Sequence, residues 1–393
     1  MKKVVSFSVF LLIGLVVSQF LPAWAGDSFS SVKLLTDTLL YVCLAYIMIN
    51  VGRDFEIDKK RWKSYALDYF VAMVAAAMPW LLIALYYVFV LFPSSQWGSW
   101  ELWKETLLIS RFAAPTSAGI LFTMLAALKL KSSWMYKKIQ VLAIFDDLDT
   151  ILLMIPLQIC IIGLKWQMAV VLVVVVALIY FGWKCMDRYR MRQSWKFILL
   201  YAVIVIIFTQ GIYQISETLL GPHEGVHIEV LLPAFILGVV MKTKHIDSDT
   251  EENISTAISY IFMFLVGLSM PQFIGVDMAA AAEANEVSSL PMMSWGTIAL
   301  HVLIVSLLSN IGKLMPLAFY RDRKFSERLA LSIGMFTRGE VGAGVIFIAL
   351  SYNLGGPLLL ISVLTIVLNL LLTGVFIMIV KRLALRTYTP DLN

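Results

Sequence analysis

Long apolar stretches, separated by short polar connections, recur along the whole chain. A helix needs about 20 apolar residues to cross a bilayer, and most of these stretches reach or approach that length. The pattern therefore predicts an all-α integral membrane protein with about 12 transmembrane helices, which we number as runs 1 to 12. The runs lie at about residues 4–23, 35–52, 66–92, 106–128, 139–163, 168–183, 197–216, 228–241, 254–275, 293–319, 328–350 and 356–380.

The composition excludes a soluble protein. Of the 393 residues, 60% are hydrophobic and 15% are charged, whereas soluble domains have roughly 45–50% and about 25%. The runs leave no room for a large soluble domain, so residues 1–393 are predicted to form a single membrane domain. The net charge of +5 does not indicate a nucleic-acid partner. We expect no cofactor, and Cys43, Cys160 and Cys185 have spacings that match no metal motif.

The basic residues predict how the chain is oriented. Cytoplasmic loops of membrane proteins carry an excess of Lys and Arg, and most of the 31 bases lie in alternate connections of this chain. These connections are all cytoplasmic if the N-terminus is cytoplasmic, and the C-terminus then lies on the same side.

Run 1 also has features of a signal peptide. Lys2 and Lys3 precede an apolar stretch that ends in Ala-Trp-Ala-Gly at residues 23–26, which resembles a small-residue cleavage site. Cleavage would leave 11 transmembrane helices and would not change the orientation of the others. We expect the helix to be retained.

Run 5 contains the acidic sequence Phe-Asp-Asp-Leu-Asp at residues 145–149. An ionisable side chain is costly at bilayer depth, so each one suggests an ion pathway or a partner. Asp146 and Asp147 point about 100° apart on a helix and are predicted to have different roles. A carboxylate near carbonyl and hydroxyl oxygens suits a hard monovalent cation, which can compete there with a proton. The alternative is a helix end that lies in a loop.

Other charged residues also fall within the apolar runs. Lys313 in run 10 needs a counter-ion, for which one carboxylate of the pair is a candidate; alternatively, its ammonium group reaches the cytoplasmic surface. Arg338 and Glu340 lie in a glycine-rich part of run 11, where the alternative is an internal ion pair in a close-packed helix. Arg111 and Asp68 lie nearer the ends of their runs, and we expect structural roles for both. The four histidines are assigned no function.

Runs 4 and 11 are predicted to be broken helices. Pro115 removes a backbone donor from run 4, and glycines interrupt run 11. Each is the middle member of a triplet, and runs 3 to 5 enter the membrane from the opposite side to runs 10 to 12. Corresponding breaks in two inverted repeats indicate the ion site of a transporter. Half-helix dipoles that face each other there could be neutralised by Asp149, Glu340 or Arg338.

Taken together, these residues resemble the sodium/proton antiporters of the monovalent cation:proton antiporter superfamily, closest to its bacterial branch with paired aspartates. Residues 49–58 resemble the end of an early helix in that family, with Arg-Asp in place of the usual apolar-acid pair. The other similar elements are residues 115–120, the pair Asp146-Asp147, Lys313 and residues 338–342. Each element alone would be a weak signal, but their order and their positions on the predicted runs make the resemblance specific.

The resemblance implies a division of the chain. An ion-carrying core would be formed by residues 66–163 and 293–380. A scaffold for dimerisation would be formed by residues 1–53 and 197–275, with residues 168–183 as a linking helix.

The resemblance also implies roles for the site residues. Asp147 would bind sodium, as its metal ligand, or a proton in turn; Asp146 would pair with Lys313, and Thr116 and Ser117 would border the site. The implied activity is exchange of sodium, or lithium, for protons by alternating access, with two protons per sodium. The expected setting is the inner membrane of a bacterium, in a homodimer that contacts the lipid bilayer.

Alternatives to this function remain open. Asp149 places a third acid where relatives carry an uncharged residue, so the stoichiometry and the choice among sodium, lithium and potassium are open, and a potassium/proton antiporter is an alternative. A sodium-driven organic-anion symporter of the same architecture would hold its anion on Arg111 or Arg338. A channel or a sensor would need no proton-titratable pair. No nucleophile, base or phosphate-binding loop indicates an enzyme.

Overall fold

The computed structural model describes residues 2–53, 62–126, 133–162, 166–186, 188–220, 230–241, 249–270, 290, 293–339, 341–342, 345 and 356–387. Within these ranges the chain consists of α-helices with short connections, and one isolated β-bridge joins Tyr189 to Met241. The α-helices of these ranges are α1 Lys2–Ala25, α2 Phe29–Arg53, α3 Trp62–Tyr86, α4 Trp100–Ser110, α5 Ala118–Ala126, α6 Trp134–Ile162, α7 Trp166–Cys185, α8 Trp195–Leu220, α9 Leu231–Val240, α10 Asp249–Leu268, α11 Trp295–Gly312, α12 Phe325–Gly334 and α13 Gly356–Thr387.

Six helical segments of the described part are long and apolar enough to cross a membrane. They are Lys3–Arg53, Ser64–Leu91, Trp100–Ala126, Trp195–Thr218, Trp295–Ala318 and Gly356–Leu385. Two shorter apolar helices, Ala169–Cys185 and Leu231–Val240, fall on runs 6 and 8. The all-helical membrane class predicted from the apolar pattern is therefore confirmed, while the count of about 12 spans stays a prediction.

Glycines bring α1 and α10 into backbone contact. A Cβ atom on Gly14 would overlap the carbonyl oxygen of Phe264, and one on Gly267 would overlap that of Leu11. Backbone atoms cannot move aside as the tip of a side chain can, so only glycine permits this approach. α1 thus packs directly against the backbone of α10.

The crossing of α2 with α9 has the same construction. A Cβ atom on Gly52 would overlap the carbonyl oxygen of Phe235, and one on Gly238 would overlap that of Ile49. Two pairs of helices outside the charged region are therefore joined by reciprocal glycine contacts.

The helices around α6 are joined by close packing and by polar contacts. α3 crosses α11 where Gly312 lies against Pro79. α3 continues as a π-helical segment, Tyr87–Leu91, whose first residue forms a 2.8 Å hydrogen bond between its hydroxyl and that of Ser362 on α13. α6 itself packs against α3, α5 and α12. In the acidic sequence of run 5, Asp146, Leu148 and Asp149 are buried, while Phe145 and Asp147 are partly exposed.

Run 4 is a broken helix in the structure. α4 ends at Ser110, a 3₁₀ turn covers Arg111–Ala113, residues 114–117 are not helical, and α5 begins at Ala118. The break predicted from Pro115 is thereby confirmed.

Run 11 is interrupted as well. α12 ends at Gly334, and residues 335–339 are not α-helical. This agrees with the prediction from its glycines. Glu340 lies outside the described residues, as does the 54–58 part of the early motif.

Candidate functional site

The two broken helices meet through their non-helical segments. The backbone N–H of Ser117 donates to the carbonyl oxygen of Thr337 over 3.0 Å, and the Thr116 hydroxyl donates to the carbonyl oxygen of Met335 over 3.2 Å. Non-helical backbone at bilayer depth must be satisfied by protein or line a cavity. Each break supplies hydrogen-bond partners for the other, and we refer to this contact as the crossing.

Gly339 allows the crossing to be close packed. A Cβ atom at this position would lie 2.6 Å from Ile120 Cδ1 and 3.1 Å from Ser117 Oγ. Ser117 also begins α5, because its hydroxyl accepts the backbone N–H of Ile120 over 3.3 Å, as an N-cap residue does. The start of α5 is thus fixed on the crossing.

Asp146 projects from α6 to this point. Its Oδ2 accepts the backbone N–H of Thr116 over 2.6 Å, and Lys313 Nζ donates to Oδ1 and Oδ2 over 2.8 and 3.0 Å. Both side chains of the ion pair have no exposure, so the alternative in which Lys313 reaches the cytoplasmic surface is wrong. Thr116 precedes the N-terminus of α5, where the helix dipole favours a negative charge. The helix and the lysine therefore stabilise the same carboxylate.

Asp147 follows Asp146 on α6 but faces another direction, because successive helix residues are 100° apart. The residue is partly exposed, although both of its carboxylate oxygens are buried. It lies within electrostatic reach of Lys313. A buried carboxylate at this depth is stabilised by a bound cation or a proton.

Asp149 lies one turn beyond Asp146 on the same side of α6, since residues three apart share a helix face. Its side chain is buried. The Tyr69 hydroxyl from α3 is hydrogen-bonded to its carboxylate, which is also within electrostatic reach of Asp146 and Arg111. The Arg111 guanidinium donates to the main-chain carbonyl of Asp149 over 3.4 Å. The third acid thus has a hydrogen-bond partner of its own from α3, while it remains within electrostatic reach of both Asp146 and Lys313.

Arg111 lies in the turn that ends α4 and has no exposure. Its guanidinium stacks on the Trp80 ring at 4.7 Å from the ring centre, a cation–π contact. Trp80 is held in turn by a 2.7 Å hydrogen bond from its indole N–H to the carbonyl oxygen of Leu107. Arg111 therefore connects α3, the break in run 4 and α6.

Arg338 lies just past the C-terminal end of α12 and is also completely buried. Its Nη1 donates to the carbonyl oxygens of Met335 and Thr337 over 3.0 and 3.4 Å, and its Nη2 donates to Ser309 Oγ over 2.9 Å. A cation at this place offsets the partial negative charge of the helix end.

The structure brings most of the predicted site residues to one place. Those at the crossing or bonded to it are Thr116, Ser117, Asp146, Lys313 and Arg338. Asp147 lies on another face of α6, and Asp149 lies in the next layer with Arg111.

Sequence reasoning missed three residues of this region. Tyr69 contacts Asp149, Trp80 contacts Arg111, and Ser309 contacts Arg338. Aromatic residues and serines are common in transmembrane helices, so none of the three carries a signal of its own in the sequence.

Two broken helices that cross in a helical membrane protein, with a buried carboxylate and lysine at the crossing, are typical of ion-coupled membrane transporters. Residues 3–382 match the protein family described as "Sodium/hydrogen exchanger, transmembrane". This match covers nearly the whole chain, so the protein belongs to this family of monovalent cation:proton antiporters. A comparison with curated proteins gave no match.

Proposed function

We propose that this protein exchanges sodium for protons by alternating access, and that the two ions compete for Asp147. The observation that carries the proposal is the pairing of Asp146 with Lys313 at the crossing of the two broken helices. Asp146 is already compensated by a lysine and by a helix N-terminus. Its neighbour Asp147 faces another side of α6 and is partly exposed, so it is the acid that we assign to the transported ion, as the resemblance implies.

Competition at one carboxylate is sufficient for exchange. A proton and a sodium ion cannot both neutralise Asp147 at the same time. The site with a bare charge is costly to move through a low-dielectric barrier, so the site crosses only when one of the ions is bound. Each ion selects its own loaded state of the carrier, and movement of one ion in one direction requires the other to return.

We propose a stoichiometry of two protons per sodium. The pair of Asp146 and Lys313 is a second titratable unit beside Asp147, and its opening on cation binding would release the second proton. Exchange of two protons for one sodium moves net charge, so the reaction would respond to the membrane potential.

We also propose 12 spans arranged as two inverted repeats. The reciprocal glycine contacts of α1 with α10 and of α2 with α9 support this symmetry. If run 1 is exchanged with run 8 and run 2 with run 9, the first of these contacts becomes the second. The same operation relates runs 3 to 5 to runs 10 to 12, with one broken helix in each triplet.

In this arrangement the core of residues 66–163 and 293–380 moves against a scaffold of residues 1–53 and 197–275. A contact at Gly119 on α5 supports the division. A Cβ atom on Gly119 would lie 2.6 Å from Phe262 Cζ of α10. Because Gly119 has no side chain, nothing projects from the core at this contact to hinder movement of α5 along α10.

The cellular setting is proposed from the resemblance and from the distribution of bases. We propose that the protein lies in the inner membrane of a bacterium as a homodimer, with both termini in the cytoplasm. Its transported partners would be monovalent cations and protons.

The organic-anion symporter is a weaker alternative. It needs a guanidinium group that can receive a carboxylate, but Arg338 already donates to two carbonyls and a hydroxyl, and Arg111 is stacked on Trp80. An anion would have to displace these contacts. The arrangement of both arginines therefore favours cation exchange.

The test is proton flux in proteoliposomes that contain a pH-sensitive dye. Sodium, lithium, potassium or choline is added in turn at two pH values, with and without a membrane potential. Sodium-driven flux that depends on the potential would support the full proposal. Proton flux with potassium alone would mean that the exchanged cation is potassium and not sodium. A flux that does not depend on the membrane potential would reject the two-proton stoichiometry. No cation-dependent flux at either pH would reject exchange and lead to tests of organic anions.

A further inference from the structure

A further buried carboxylate, that of Asp68, joins helices of the same region. Asp68 on α3 accepts hydrogen bonds from Lys138 Nζ on its two oxygens, over 2.9 and 2.7 Å, and from the Tyr320 hydroxyl over 2.7 Å. The Asp68 side chain has no exposure, and that of Lys138 is 14% exposed. We call these three residues the Asp68 bridge. The exchange cycle proposed above gives them no part.

Aromatic side chains shield the Asp68 bridge from water. The Lys138 ammonium lies 5.2 Å from the centre of the Tyr320 ring. The same ring packs edge-on against Trp134 at 5.7 Å, and the Arg323 guanidinium lies 4.9 Å from the centre of the Trp134 ring. Charged hydrogen bonds are stronger in such surroundings, because the local dielectric constant is low.

The Asp68 bridge and the Asp146–Lys313 pair connect the same two elements at different depths. On α6, Lys138 precedes Asp146 by eight residues, or about 12 Å of helix. The second element is the segment after α11, which has Lys313 at its start, a 3₁₀ turn at Met315–Ala318 and Tyr320 at its end. Each end of this segment is therefore fastened to α6, one end directly through Asp146 and the other through the Asp68 bridge.

We propose that Asp68 is a positioning residue of the exchange cycle: it keeps the segment after α11 in register with α6, so that Lys313 returns to Asp146 after each ion-binding step. This inference rests on the proposed function, in which the lysine pair opens when a cation binds. The segment is made of short turns and lacks the stiffness of a long α-helix. When Lys313 leaves Asp146, the Asp68 bridge still holds the far end of the segment.

The test measures Asp68→Asn against the wild type in proteoliposomes. Asparagine keeps the size of the side chain and removes the charge that attracts Lys138 and the Tyr320 hydroxyl. We expect the apparent KM for sodium to change by roughly three- to tenfold and the pH profile of exchange to shift, because both report on the pair of Asp146 and Lys313. A change in maximal rate or in yield of folded protein, with KM and pH profile unchanged, would overturn the inference.

A double-mutant cycle tests whether Asp68 acts through Lys313. In the Lys313→Ala background, Asp68→Asn is expected to leave the KM and the pH profile without further change. Equal effects in both backgrounds would contradict the inference. The cycle is also measured by thermal unfolding, which requires no transport: coupled shifts of the midpoint support the inference, and additive shifts oppose it.

Two further variants keep the test decisive. If Asp68→Asn does not fold, Tyr320→Phe removes one donor and keeps the bond to Lys138; it should give a smaller shift in the same direction, and no shift would count against the inference. Glu252→Gln is the matched control, because it makes the same chemical change in the exposed ion pair of Lys3 and Glu252 between α1 and α10. That variant should behave as wild type.

Absence of sodium-driven flux in the wild type would instead reject the proposed function, and the unfolding cycle would still decide whether Asp68 positions Lys313.

Discussion

Ser117 donates its backbone N–H to the carbonyl oxygen of Thr337 over 3.0 Å, although the two residues lie in opposite halves of the chain. The bond joins the start of one half-helix, α5, to the residues just past the end of another, α12. A helix start attracts negative charge and a helix end attracts positive charge. Asp146 is bonded to Thr116, which lies just before the start of α5, and Arg338 lies just past the end of α12. The distribution of buried charge around the crossing therefore follows the polarity of the two half-helices.

The first prediction concerns the acid assigned to the transported ion. Asp147→Asn should reduce cation-dependent proton flux to the level of empty liposomes, because an amide can neither be neutralised by a proton nor attract a cation by charge. The measurement is dye-reported flux at equal protein density. Asp322→Asn is the control, since it removes an exposed acid whose side chain is 74% exposed, and it should keep normal flux. Full activity in Asp147→Asn would remove the central claim of the mechanism.

A second prediction concerns the buried ion pair. Lys313→Ala leaves Asp146 without its cation in the protein interior, and loss of one partner from a buried pair typically costs about 3–5 kcal/mol. We expect a lower thermal unfolding midpoint in detergent. The double variant Asp146→Asn with Lys313→Met should recover part of the loss, because it removes both charges. An unchanged midpoint in Lys313→Ala would mean that the pair contributes nothing to stability.

The helix breaks could be predicted from the sequence, while the side-chain contacts across helices could not. Pro115 and the glycines of run 11 act on their own backbone, so their effect is local and is visible in the sequence. The contact of Tyr69 with Asp149 depends on how α3 is rotated against α6. Apolar runs that face lipid on one side and protein on the other do not define this rotation.

The pairing of Asp146 with Lys313 could be predicted from the sequence only in part. The charges alone required some partner for each residue at bilayer depth, and only the resemblance selected this one. The Asp68 bridge shows the same limit, because both its base and its acid were visible in the sequence, but their mutual distance was not. The sequence indicates a structural role for Asp68, and its three hydrogen bonds show which helices that role would join.

A third prediction concerns the contact of the core with the scaffold. Gly119→Ala would place a methyl group 2.6 Å from Phe262 Cζ and 2.8 Å from Leu44 Cδ1. Both atoms are side-chain tips that can shift, so the protein should fold, with a cost of about 1–3 kcal/mol for overpacking. If this contact slides in the cycle, the maximal rate should fall by roughly tenfold.

Gly211→Ala is the matched control for this variant, because nothing lies within 4 Å of a Cβ atom at that position. It should transport normally and be stabilised by about 0.5–1 kcal/mol, since alanine suits a helix better than glycine. The pair Gly119→Ala with Phe262→Leu should recover rate by restoring space. A normal rate in Gly119→Ala alone would show that this contact does not limit movement.

The last prediction concerns Arg338, whose guanidinium spans three acceptors in two elements. Arg338→Gln loses the charge that offsets the end of α12 and leaves buried carbonyls with fewer donors. Hydrogen bonds that involve a charged group contribute about 1.5–3 kcal/mol each. The free energy of unfolding of Arg338→Gln should therefore be clearly lower than that of the wild type. Arg338→Lys keeps the charge but not the planar fork, and we expect an intermediate loss. Ser309→Ala removes one acceptor only and should be the mildest of the three. Thermal unfolding of all three variants measures this order. If Arg338→Lys were as stable as wild type, charge alone would account for the role of Arg338, and if Arg338→Gln were as stable, the half-helix would need no cation at its end.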